Sequence, residues 1–185
     1  MINYDTFLDL VKARQSDRTF DPNRPISREI LERILEAGRL APSACNAQPW
    51  KFVVVYEPEL KNKVADCTSS RILNMNHFTK QAPVHILVIE EAANFTSRFG
   101  SLVKKKEFPQ IDIGIAAAHL CLAAQAEGIG SCIIGWVDEK QLRPLLGIPA
   151  SKRIRLDIIL GYSTQPLREK KRKDSSDVIS FNKYK

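Results

Sequence analysis

APSACNAQPWKFVVV, residues 41–55, joins two unlike patterns. Upstream, REILERILEAGRLA (28–41) repeats apolar residues at helical spacing through Ile30, Leu31, Ile34 and Leu35. Ser27 stands where an N-cap belongs, and Pro42 stops the pattern. Downstream, KFVVVY (51–56) is a short β-branched run that reads as a buried strand. Between them lie prolines, a serine, a cysteine, two amides and Trp50, with no charge before Lys51.

Working outward, YDTFLDLVKAR (4–14) places Phe7, Leu10 and Val11 on one helical face, with Asp5 or Thr6 as N-cap. A polar loop covers 14–27. PELKNKVADCTSS (58–70) reads as a helix with Pro58 near its start. VHILVIE (84–90) is a second buried strand, and 91–110 is polar and irregular. IDIGIAAAHLCLAAQAEG (111–128) is apolar nearly all round, so it is expected to be buried on most faces, with Gly114 and the alanines admitting close neighbours. Gly128 is a natural C′ residue. IGSCIIGWV (129–137) is a loop entering a strand, DEKQLRPLLGI (138–148) a short helix, and IRLDIILGY (154–162) a strand. The chain finishes with a basic segment and VISFNKYK, an edge strand or arm. Alternating strands and helices give α/β as a first fold class.

The 185 residues fit one domain spanning 1–185. With 44% hydrophobic and 26% charged residues, the composition is that of a folded globular chain. The first twenty residues hold no signal-like apolar region, and the longest apolar stretch is too short for a bilayer. A cytoplasmic protein without membrane partners is therefore expected. The net charge of +7 raises nucleic acid as a partner, but aromatics are not interleaved with the basic runs KKK (104–106) and REKKRK (168–173). A small phosphorylated ligand would use the same charges, and nucleic acid is not expected. Cys45, Cys67, Cys121 and Cys132 form no CxxC pair, and His77, His85 and His119 are dispersed, so no metal is expected.

Three motifs admit two readings each. RQSDR (14–18) is either a basic helix end or an anion clamp of forked guanidinium donors and a hydroxyl. GIGSCIIG (128–135) lacks the spacing and context of a dinucleotide fingerprint. It is either a helix cap and turn or a backbone approached closely by a ligand. KKRK (170–173) is either a solvated tail or a second phosphate contact. His119 reads as a satisfied core histidine, and Trp50 and Trp136 as packing residues.

Taken in order, RxSxRxF (14–20), APSACNAQPWKFVVV (41–55), AEGIGSCIIGW (126–136) and LGY with KKR (160–172) resemble the FMN-dependent nitroreductase family across nearly the whole chain. That resemblance implies an α+β fold, a mixed sheet flanked by helices, in an intertwined homodimer with non-covalent FMN at the subunit interface. It implies that Arg14, Ser16 and Arg18, more weakly Gln15, and late in the chain Lys170 and Arg172, contact the cofactor. Pro42, Ser43, Asn46 and Gln48 would approach the flavin from the neighbouring subunit, with Trp50 anchoring their loop. Ile134 and Gly135 would present backbone to flavin N5, and Asn76 is a further candidate for the pyrimidine edge. No catalytic side chain is required. NAD(P)H would deliver hydride, and a small conjugated acceptor such as a nitroaromatic or quinone would then take two electrons, in ping-pong order. A flavin-storage protein and a specialised redox enzyme such as a dehalogenase remain as alternatives. The segment 91–110, with Phe95, Phe99 and Phe108, would face substrate. Ser163 departs from the family's Gly-Tyr-Pro, and the tail would cross onto the partner.

Overall fold

The computed structural model describes residues 3–70, 73–91 and 108–184. Helix α1 (Tyr4–Ala13) is capped by Asn3, whose Oδ1 accepts from the Thr6 amide at 2.8 Å. The cap therefore lies two or three residues earlier than expected, and it still uses an Asx side chain to satisfy an orphan helix donor. Helix α2 (Arg28–Arg39) has the expected Ser27 cap and ends before Pro42. Strand β1 (Trp50–Val55), helix α3 (Pro58–Thr68), strand β2 (Val84–Glu90), helix α4 (Phe108–Ala126), strand β3 (Gly130–Ile134), helix α5 (Glu139–Leu146) and strand β4 (Arg153–Gly161) follow. The tail forms a single turn, α6 (Ser175–Val178), and then exposed chain. Among the described residues, no strand forms in 178–184. Residues 92–107, including Phe95, Phe99 and the KKK run, lie outside the described residues.

The four strands pair in the order β1-β2-β4-β3, every pair antiparallel. The first α/β reading is thereby replaced by α+β. Alternation along apolar strands sends side chains to both faces. Val84, Ile86, Val88, Ile158 and Leu160 pack against α2 and α4. Val55, Leu87, Ile89 and Ile154 pack on the other face with Val64 of α3 and Leu142 of α5. Gly38 of α2 admits Leu120 of α4, because a Cβ there would stand 2.6 Å from Leu120 Cδ2. The close helix approach is thus made at Gly38; a Cβ at Gly114 would meet nothing within 4 Å. Trp50 is 9% exposed and stacks on Phe52, which roots the loop before it in the core.

Helix α4 is less enclosed than its composition suggests. It buries Ile113, Ala116, Ala117, Leu120 and Cys121, but leaves Ile111, Gly114 and Ala118 exposed as an apolar stripe. His119 is half-buried on this helix, its Nδ1 2.9 Å from the Ile115 carbonyl, so it is satisfied locally rather than sunk in the core. Helix α1 buries none of its residues. Among the described residues, no helix is long and apolar enough to cross a membrane.

Candidate functional site

Helix α1 ends at Arg14, whose amide still donates to the Leu10 carbonyl at 3.0 Å. The next residues run extended along the open edge of β3. Ser16 forms a parallel bridge with Ser131, and the Asp17 amide donates to the Ser131 carbonyl at 2.9 Å. Asp17 turns inward and is 3% exposed. Its Oδ1 accepts from the Ser163 hydroxyl at 2.7 Å and from Gln15 Nε2 at 3.0 Å. Gly130 is needed beneath it, since a Cβ there would lie 2.8 Å from Asp17 Oδ2.

The chain leaving β4 returns along this same segment. Thr164 N donates to the Thr19 carbonyl at 3.2 Å, and Arg18 N donates to Gln165 Oε1 at 3.2 Å. Gln15 Nε2 donates to the Pro166 carbonyl at 3.2 Å, and Arg168 N donates to Gln15 Oε1 at 3.1 Å. Arg168 Nη2 reaches the Ser16 carbonyl at 2.8 Å, and the Lys170 ammonium donates to the Arg14 carbonyl. Residues more than 150 positions apart thus enclose one cleft of about 380 Å³. Arg14, Gln15, Ser16, Arg18, Lys170 and Arg172 all line it, joined by Arg168, Glu169 and Lys171. Ser163 fixes the path where the family often has proline, by donating to Asp17 while its oxygen accepts from Gln165 N at 3.1 Å.

Six cations and one carboxylate line this cleft. None of those cations forms an ion pair among the described residues, whereas Arg28, Arg33, Arg39, Arg143, Arg153 and Arg155 each pair with a glutamate elsewhere. Burial, and then repulsion from Arg14, Arg172 and Arg168, lowers the pKa of the Lys170 ammonium below the usual lysine value. A bound phosphate would oppose that shift, so phosphate binding and Lys170 protonation are linked. Affinity for FMN is expected to be full below the lowered pKa of the free cleft. It should weaken as pH rises through the higher pKa of the complex. Riboflavin, which lacks the phosphate, should show no such slope, and neither should FMN with Lys170→Met; titrations across alkaline pH measure both.

Strand β3 carries the geometry onward. Ile134 is buried, and Gly135 lies four residues past Ser131, about 13 Å along an extended chain. A Cβ at Gly135 would meet nothing within 4 Å. Gly135 borders a second hollow of about 530 Å³ with Ser69, Ser70 and Trp136. Trp136 is 46% exposed, so it is not the packing residue the sequence suggested. Gly128, by contrast, has φ +71° and serves as the expected helix terminator.

Pro42, Ser43, Asn46 and Gln48 line neither hollow. Their loop is built around a 3₁₀ turn, Ala44–Asn46. The Ala44 amide donates to both oxygens of buried Asp112 on α4, at 3.1 and 3.2 Å. Gln48 N donates to Ser43 Oγ at 2.9 Å, and Gln48 Nε2 donates to Asn46 Oδ1 at 3.0 Å. Cys45, Asn46 and Gln48 all hold positive φ near 50°, a region unfavourable for residues other than glycine and asparagine. The anchor, Asp112, stands nine residues before Cys121, the α4 residue that feels the charge of Arg14. That separation is roughly 14 Å along the helix axis. Within one chain the loop and the cationic cleft are therefore separate. Asn76 does not line either hollow but stands beside the second: its neighbour Met75 pairs with Ser70, and its own amide donates to the Thr68 carbonyl at 3.1 Å, with φ at 61°.

Arg168, Asp17, Ser163 and Trp136 were not singled out for the site from sequence. Arg168 lay in a basic run with nothing to mark which cation turns inward. Asp17 carried a signal, an acid between two arginines, that only its burial explains.

The Nitroreductase family profile matches residues 11–162, a span that includes RQSDR, the 41–55 loop and β3. The chain belongs to the nitroreductase family. A Bacillus subtilis protein provisionally named NAD(P)H nitroreductase YdgI is 29% identical, over 83% of this chain and 86% of its own. The iodotyrosine deiodinase of Drosophila melanogaster is 27% identical, over 83% of this chain and 61% of its own. Among solved structures, an FMN-dependent nitroreductase from Clostridium difficile R20291 superposes with a TM-score of 0.75 at 28% identity, covering 96% of this chain and 99% of that one. The nitroreductase-family chain described here is accordingly an oxidoreductase with the α+β fold of that family.

Proposed function

We propose that residues 1–185 form one FMN-binding unit that passes electrons from NAD(P)H to a small conjugated acceptor, a nitroaromatic or a quinone. The observation that carries this reading is the cleft of unpaired cations placed one short strand away from the uncovered Gly135 backbone. A phosphate suits the first feature and a flat ring the second, and FMN has both. Arg14, Ser16, Lys170 and Arg172 would hold the phosphate, with Gln15 and Arg18 beside the ribityl chain. The backbone at Ile134 and Gly135 would support the ring edge where charge develops. FMN held by these residues would supply the redox chemistry, two-electron transfer from NAD(P)H to the acceptor in ping-pong order. The protein binds, orients and shields.

The working unit in this reading is a homodimer. The uncovered stripe of Ile111, Gly114 and Ala118 and the unburied helix α1, with Tyr4, Phe7 and Val11 exposed, are faces that a second copy would cover. The same assembly would bring Pro42, Ser43, Asn46 and Gln48 to the partner's flavin, and would receive the exposed tail residues Val178, Ile179 and Phe181.

One absorption spectrum tests the reading: the purified protein with FMN, before and after anaerobic NADPH or NADH. Flavin bands that bleach on reductant are expected. Bands that persist would turn the assignment towards a storage protein or a specialised reaction, as the deiodinase relative illustrates. Absence of any flavin binding would overturn it.

A further inference from the structure

The cationic cleft holds more positive charge than one flavin phosphate needs. Its six cations are opposed by Glu169 in the lining and by buried Asp17 behind it, and none is in an ion pair among the described residues. A phosphate dianion in the cleft still leaves some of that positive charge uncompensated. They also differ in placement. Lys170 is half-buried and reaches the Arg14 carbonyl, so this pair forms the floor. Arg168 and Lys171 are exposed and form the rim. Arg168 is fixed there by its bond to the Ser16 carbonyl. Lys171 is exposed on the lining, and its backbone carbonyl accepts from Arg172 Nη1 at 2.7 Å.

We propose that this rim is a second phosphate subsite, formed by Lys171 and Arg168, that reads the 2′-phosphate of NADPH and makes the enzyme prefer NADPH to NADH. The proposal rests on the flavin reading above for the placement of the first phosphate. A reductant whose nicotinamide lies over a ring held near Gly135 can fold its adenosine back along the ribityl chain towards the cleft mouth. NADH brings no additional charge there, whereas NADPH brings a second dianion to cations already crowded together. A small phosphate fits better than an extended polyanion, because the charge is gathered around a cleft of about 380 Å³ and not spread along a face.

The test is calorimetric titration with adenosine 2′,5′-bisphosphate and with 5′-AMP, on the FMN-loaded and the flavin-free protein. The bisphosphate should bind about tenfold more tightly than the monophosphate, and salt should weaken the difference. K171Q should remove most of that margin. It should also reduce the NADPH-to-NADH ratio of kcat/KM by about the same factor while FMN affinity holds. Equal binding of the two probes by the native protein would overturn the proposal, as would a K171Q variant that weakens both alike. A native protein that takes the bisphosphate selectively but no FMN would sink the flavin reading and leave the rim standing. The reverse pattern would sink the rim alone.

Discussion

Arg14→Ala will weaken FMN binding by about 10- to 100-fold, corresponding to loss of a charged hydrogen bond worth about 1.5–3 kcal/mol. Arg14 sits at the end of α1, lines the cleft, and carries no carboxylate partner among the described residues. Its contribution to the fold is made by its backbone: the amide caps α1 and the carbonyl receives Lys170. Both survive truncation, so the apoprotein melting temperature should hold. Three titrations separate the causes. Riboflavin should bind wild type and variant alike, because it lacks the phosphate. Arg14→Lys should recover part of the affinity, since it restores charge without the planar fork. FMN binding unchanged in Arg14→Ala would remove the cleft from the phosphate site altogether.

Local signals in the sequence sufficed for most elements and failed where tertiary contacts decide. The run at 84–90 became β2 without adjustment, because a seven-residue run with five large apolar residues, flanked by turn signals, leaves little else to form. Antiparallel order was not legible from alternation alone. It depends on which strands meet, and β4 lies between β2 and β3 through contacts distant in sequence. The anion clamp in RQSDR was readable as one of two alternatives. Its union with Lys170 and Arg172 came from resemblance, since no local pattern joins residues 14 and 170. Trp136 was misread because aromatic residues beside a strand are usually packed, and only the open surface around Gly135 shows that it is not. The apolar stripe on α4 was hidden for a related reason: a uniformly apolar helix gives no periodic signal of which face the chain's own core leaves uncovered.

Gly135→Val should leave the fold intact and lower FMN affinity by about 100-fold. A side chain at 135 meets no atom within 4 Å, and the residue is not in the left-handed region, so valine fits the extended chain leaving β3. A surface change of this kind costs at most about 0.5 kcal/mol, which is about 1–2 °C of melting temperature for a chain of this size. The open space is where the flavin ring is proposed to rest, so the added methyl groups would displace the ring from its backbone donor. Gly128 supplies the opposite control. It also has nothing within 4 Å, but its φ is +71°. Gly128→Ala should therefore cost about 1 kcal/mol of stability while leaving FMN affinity unchanged. The two glycines are seven residues apart on either side of β3, and empty space alone does not distinguish them. Crossed outcomes, stability lost at 128 and flavin lost at 135, would place the ring against β3. A Gly135→Val protein that binds FMN with native affinity would move the ring elsewhere, whatever the cleft then holds.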